Sequence, residues 1–89
     1  MKTIHKYPLG PGYQLIETKR GGQLLSAQAQ NNQPQLWILV DPEETADCVE
    51  VKVVATGVEF EHDASWRYID TFQLHQDRLV FHVFAKAVS

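Results

Sequence analysis

The sequence predicts an all-β domain, a small sandwich or partly open barrel of six to seven short, mostly antiparallel strands. Three observations carry this. Turn-forming clusters recur every ten residues or so: Pro8-Leu9-Gly10-Pro11-Gly12, Gly21-Gly22, Asn31-Asn32-Gln33-Pro34 and Asp41-Pro42-Glu43-Glu44. The runs between them are short and apolar. Where polar residues interrupt those runs, they do so with period two, the repeat of a strand with one face buried.

The strands follow in order. Thr3 to Leu9 is the first, with Ile4 and His5 on opposite faces. Tyr13 to Thr18 is the second, with Tyr13, Leu15 and Glu17 sharing a face. In Gln23 to Gln30, Leu25, Ala27 and Ala29 alternate with Ser26, Gln28 and Gln30. Leu36 to Val40 is apolar throughout. In Cys48 to Thr56, Val49, Val51 and Val53 face away from Glu50 and Lys52. Arg67 to Leu74 and Leu79 to Ala85 close the chain, and His75-Gln76-Asp77-Arg78 between them suits a hairpin loop. Asp41 to Asp47 offers an N-cap and a first-turn proline, enough for one helical turn or a loop. Val58 to Asp63 alternates like an edge strand but fits a loop equally well.

The 89 residues make one domain, 1–89. So short a chain buries only about 60–65% of the surface its unfolded form exposes. With 44% hydrophobic and 21% charged residues it has the composition of a folded protein. A net charge of −3 argues against general nucleic-acid binding, which needs a basic surface. One cysteine, Cys48, excludes a disulfide framework and a thiolate zinc site and points to a reducing cytosol. The N-terminal residues lack a signal peptide's apolar run, and no stretch approaches the ~20 apolar residues that span a bilayer, so no membrane association is expected.

Two segments carry more apolar surface than a half-exposed strand should. Leu36-Trp37-Ile38-Leu39-Val40 and Leu79-Val80-Phe81-His82-Val83-Phe84 are apolar on both faces. They are either central strands between layers or strands with one face against another molecule. A homo-oligomer is the expectation, with Trp37, Leu39, Val80, His82 and Phe84 as interface residues; a tight sandwich with loops over its outer face is the alternative.

Catalytic and metal chemistry are not expected. His5, His62, His75 and His82 show no metal spacing, and the acidic run Glu59, Glu61, Asp63 lacks a calcium loop's pattern. No serine lies in a nucleophile-elbow context. Cys48, beside Asp47, is expected to be a buried filler, His5 a surface residue, and His82 a core or interface residue with one hydrogen bond. No cofactor is implied. Two features could hold a ligand. Lys19-Arg20-Gly21-Gly22 offers two cations and flexible backbone amides to a phosphate, against a plain β-turn with solvated cations. Trp66-Arg67-Tyr68 could stack a base and pair with a phosphate, anchor a protein partner, or simply begin a strand.

Five blocks resemble a family of small uncharacterised bacteriophage and prophage proteins: Met1-Lys2-Thr3-Ile4-His5-Lys6-Tyr7-Pro8-Leu9, Leu36-Trp37-Ile38-Leu39-Val40-Asp41-Pro42, Thr56-Gly57, Tyr68-Ile69-Asp70-Thr71-Phe72-Gln73-Leu74 and Leu79-Val80-Phe81-His82-Val83-Phe84. The family pattern has Gly-Thr-Gly-His where this chain reads Ala55-Thr56-Gly57-Val58, so nothing resting on that glycine or histidine carries over. The resemblance implies an accessory protein in the cytoplasm of an infected bacterium. It would act in counter-defence by non-covalent binding, sequestering a nucleotide-like immune signal or blocking a host defence protein. A protein–protein or minor structural module without a small ligand is the other reading. For a phosphorylated ligand the expected contacts are Lys19, Arg20, Trp66, Arg67 and Tyr68.

Overall fold

A computed structural model describes residues 1–75 and 78–88. The turn clusters divide the chain into seven strands: β1 (Thr3–Pro8), β2 (Gly12–Lys19), β3 (Gln23–Gln30), β4 (Gln33–Val40), β5 (Ala46–Ala55), β6 (Arg67–Leu74) and β7 (Leu79–Ala85). They form two antiparallel sheets. Sheet A has the order β1-β4-β3 and sheet B the order β2-β5-β7-β6. The expected all-β sandwich is the observed fold.

Local chemistry sets each connection. Asn31 and Asn32 have φ of 51° and 60°. Two successive positive φ values are what a two-residue hairpin needs to match strand twist, and asparagine accepts them. The third break therefore shrinks to these two residues, and β4 begins at Gln33, paired with Gln30. Pro34 fits in β4 because it lies beyond the last β1 pair, Pro8 with Gln35. Asp41 to Glu44 is a turn and not a helix. The Asp41 carboxylate accepts from the Glu43 amide at 3.0 Å, and the Asp41 carbonyl from the Glu44 amide at 3.0 Å. The β6–β7 connection runs from His75 to Arg78, of which Gln76 and Asp77 lie outside the described residues.

Inward residues from both sheets make one core. Leu36, Ile38 and Val40 of β4 meet Val49 and Val51 of β5 and Val83 of β7, all at 1% exposure or less. Across the β1–β2 side, the Tyr7 hydroxyl bonds to the buried Thr18 hydroxyl at 2.8 Å. His5, expected at the surface, is half-buried, with Nδ1 3.4 Å from the Tyr7 hydroxyl. On the other side β3 packs on β6. Each carries a bulge there, at Leu25 and at Ile69, and the Ala27 amide points to Asp70 Oδ2 at 3.4 Å.

The bulge corrects one expectation. Leu25 does not share the inner face with Ala27; the extra residue turns it outward, 41% exposed, and Leu24 packs against the core instead.

Both doubly apolar strands are central, β4 between β1 and β3, β7 between β5 and β6. That accounts for much of their excess. On the outer face of β7 the rings of Phe60 and His62 lie on Phe84, and Val80, His82 and Phe84 are half-buried. On the outer face of β4 Trp37 and Leu39 are half-buried too, beside the buried Gln35.

Candidate functional site: the outer face of sheet B

The strand register places one side chain from each strand of sheet B in a row: Tyr13 on β2, Lys52 on β5, Phe84 on β7 and Tyr68 on β6. Three rings from the β5–β6 loop cover this row. Phe60 lies 5.5 Å and His62 5.2 Å from Phe84, centroid to centroid, and Trp66 meets Tyr13 edge-on at 6.3 Å. Lys52 is caught between layers, its Nζ 4.0 Å from the Trp66 ring centre and 5.8 Å from Phe60. The same amine donates to the Glu61 carbonyl. Cation–π contacts of this kind contribute roughly 0.5–2 kcal/mol each.

The loop folds onto the sheet by its own turns. The Val58 amide closes on the Ala55 carbonyl at 3.2 Å, and the Trp66 amide on the Asp63 carbonyl at 3.2 Å. The Asp63 carboxylate also accepts from the Ser65 amide and hydroxyl. Those two bonds to Ser65 hold its carboxyl below the ordinary value of 3.8, with smaller help from Lys86 and Lys52. One result of this cover is that Val54, on the outward side of β5, is only 8% exposed.

Beneath the loop lies a cleft of about 480 Å³, walled by Tyr13, Lys52, Val54, Val58, Phe60 and Phe81. A second, of about 430 Å³, opens at the same end of the sandwich between Leu9, Pro34, Leu74 and Leu79. The two share Pro11, Val53 and Phe81 as a common wall. Their volumes lie in the range of small-molecule sites.

Charges around the row are balanced. Lys86 Nζ is 3.5 Å from Glu50 Oε2 and 5.0 Å from the Trp66 ring centre. The Tyr13 hydroxyl donates to Glu50 Oε1 at 2.8 Å, which raises the phenol above its ordinary 10.0. Further along, His82 is held between two hydroxyls, Thr71 Oγ1 at 3.0 Å and Thr56 Oγ1 at 2.7 Å, and Tyr68 bonds to Thr71 at 2.7 Å. His82 thus has two hydrogen bonds where one was expected, and both ring nitrogens are used.

The residues singled out from sequence separate. Trp66 and Tyr68 belong to the aromatic face. Arg67, paired with the inward Ala85, sits exposed at the rim with the opposite orientation. Lys19 and Arg20 lie at the far end of β2, roughly 20 Å from Tyr13 at the usual strand rise. The amides offered there to a phosphate are engaged within the chain, Arg20 with the Thr45 carbonyl at 2.9 Å and Gly22 with the Lys19 carbonyl at 3.1 Å. Gly22 sits in a tight place: a Cβ there would lie 3.0 Å from Ile38 Cγ2 and 3.1 Å from the Lys19 carbonyl oxygen, so its neighbours would have to give by a few tenths of an ångström. Arg20 borders a small recess with Lys2, Asp41 and Glu44. The interface set divides too: Trp37 and Leu39 lie on the outside of sheet A, Val80, His82 and Phe84 on the outside of sheet B. Tyr13, Lys52, Phe60 and Lys86 were not singled out. The parity of Tyr13 and Lys52 was visible, but their meeting depends on the loop.

Cys48 corrects a further expectation. It is exposed, on the outer side of β5 opposite Glu17. Among the described residues no group of three or more His, Cys, Asp or Glu is placed to hold a metal ion, and no helix is long and apolar enough to cross a membrane.

No curated protein matches the chain, and no solved structure does. A family match covers residues 1–89 in full, and its description is a domain of unknown function, DUF7352. The chain belongs to that family.

Proposed function

We propose that this protein acts by non-covalent binding, as a phage accessory protein in counter-defence, and that its working surface is the loop-covered face of sheet B. The observation that carries this is the cleft beneath the Gly57–Trp66 loop, where Tyr13 and Phe60 stand exposed beside an apolar floor. A flat ring fits such a place, since stacking on an aromatic side chain contributes about 1–3 kcal/mol per base. The ligand is nucleotide-like and is gripped by its base. Its phosphate contributes little, because Glu50 and Asp63 already offset Lys86 and Lys52. Binding of this type depends weakly on salt.

The test starts with protein purified from phage-infected bacteria, denatured so that bound small molecules are released and weighed. A ring-bearing compound near one per chain is expected, falling several-fold in Tyr13→Ala and Phe60→Ala and unchanged in Arg20→Ala. Release of nothing from the unmutated protein, or a loss confined to Arg20→Ala, contradicts the reading. A host protein that co-purifies in place of a small molecule moves the assignment to protein blocking, to which Leu15 and Tyr68, exposed on the same face of sheet B, are suited.

A further inference from the structure

We infer that the outer face of sheet A is a self-association surface, taken up by the same face of a second copy. Its charge content sets it apart. On the outer face of sheet B the register places four acidic or basic side chains, Glu17, Lys19, Glu50 and Lys52. The outer face of sheet A carries one, Lys6. A sheet face exposed to water is normally where such residues collect. A charged partner finds no complement here, whereas an uncharged face laid on its own copy meets no like-charge repulsion.

The single cation is drawn aside. Lys6 Nζ donates to Gln30 Oε1 at 2.7 Å, which lays its stem across β4 toward the Gln33 end. The other end is apolar. Ile4 on β1 pairs with Leu39, and the β3 bulge thrusts Leu25 out beside Trp37. Ile4 is 54% and Leu25 41% exposed, and a shallow depression lies between them, lined by both and by Trp37.

The layout is self-complementary. A twofold axis parallel to β4 sets β1 of one copy over β3 of the other, with Ile4 against the partner's Leu25 and Trp37 near the axis. In such an isologous contact each pair occurs twice. Three strands about 4.8 Å apart and roughly 27 Å long present on the order of 400 Å² of flat face, about half the ~800 Å² per partner of a standard interface. An interface of that size belongs to a weak, reversible dimer.

Sedimentation of the full chain over ~1 μM to ~1 mM should show a monomer passing to a dimer. Leu25→Lys and Ile4→Lys, both at exposed positions, should stay monomeric with unaltered denaturation midpoints. Leu15→Lys, on sheet B, should dimerise as the unmutated protein does. In a Cys48→Ala background, Ile4→Cys with Leu25→Cys should form an intermolecular disulfide on mild oxidation. A monomer at every concentration overturns the inference, and so does a dimer that Leu15→Lys abolishes and Leu25→Lys leaves intact. Neither result bears on the cleft of sheet B, whose ligand is read separately.

Discussion

Lys52 is held by two kinds of contact at once, the faces of Trp66 and Phe60 and the carbonyl of Glu61. It therefore fastens the β5–β6 loop to the strand below. Asp63 fastens the far end of that loop through Ser65. Because the folded Asp63 carboxyl titrates below its ordinary 3.8, its support for the loop is complete above that value. It fades as pH falls through the lowered folded value. Fluorescence of Trp66, followed in a Trp37→Phe background from about pH 5 to about pH 2, should report loosening of the loop. The transition should vanish in Asp63→Asn, whose loop is loosened throughout; an identical transition in that variant would remove Asp63 as its cause. Cys48 shows what sequence offers at this scale. It shares parity with Glu50 and Lys52, so the period of β5 already placed it outward. The usual burial of cysteine pointed the other way, and strand geometry prevailed.

Among the elements, the hairpin turns were the most legible. Asn31-Asn32 needs no tertiary contact to be recognised, because positive φ at both residues is a local demand. What was not legible is that Asn32 also reaches the next hairpin. Its Oδ1 accepts from the His75 amide at 2.8 Å, and its Nδ2 lies 3.0 Å from His75 Nδ1. The two asparagines should accordingly respond differently. Asn31→Gly should be neutral or slightly stabilising, since glycine suits the turn. Asn32→Ala should cost about 1–2 kcal/mol, combining a positive φ with lost hydrogen bonds. Urea midpoints of the two variants measure this, and equal midpoints would show that the His75 contacts contribute nothing. The Gly57–Trp66 segment was ambiguous for a physical reason. Phe60 and His62 alternate because both turn toward the sheet, which mimics the period of an edge strand without its pairing.

At the scale of the whole molecule, a sandwich needs only one apolar face per strand, and two strands here have two. The chain puts its two greasiest strands in the middle of their sheets. It then treats their outer faces differently: the β5–β6 loop lies on part of sheet B, and the outer face of sheet A carries Ile4 and Leu25 exposed around a half-buried Trp37. Strand periodicity revealed the surplus of apolar surface but not its disposal, because a loop's landing place is set by long-range packing that no local pattern encodes. The ligand residues named from sequence were scattered for the same reason. Lys19 and Trp66 are both near turns, yet the register sends them to opposite ends of sheet B. Those assembled in their stead, Tyr13, Lys52 and Phe60, come from three separate segments.

The central claim is that residues 57–66 lie on sheet B and form the roof of the cleft. Proton NMR of the full chain measures this directly through the Phe84 ring. Cross-relaxation from Phe84 to both Phe60 and His62 is expected at the separations of 5.5 and 5.2 Å between ring centres, along with upfield-shifted Lys52 side-chain protons beneath Trp66. A Phe84 ring in contact only with Tyr68, with Phe60 and His62 at random-coil shifts, would contradict the account.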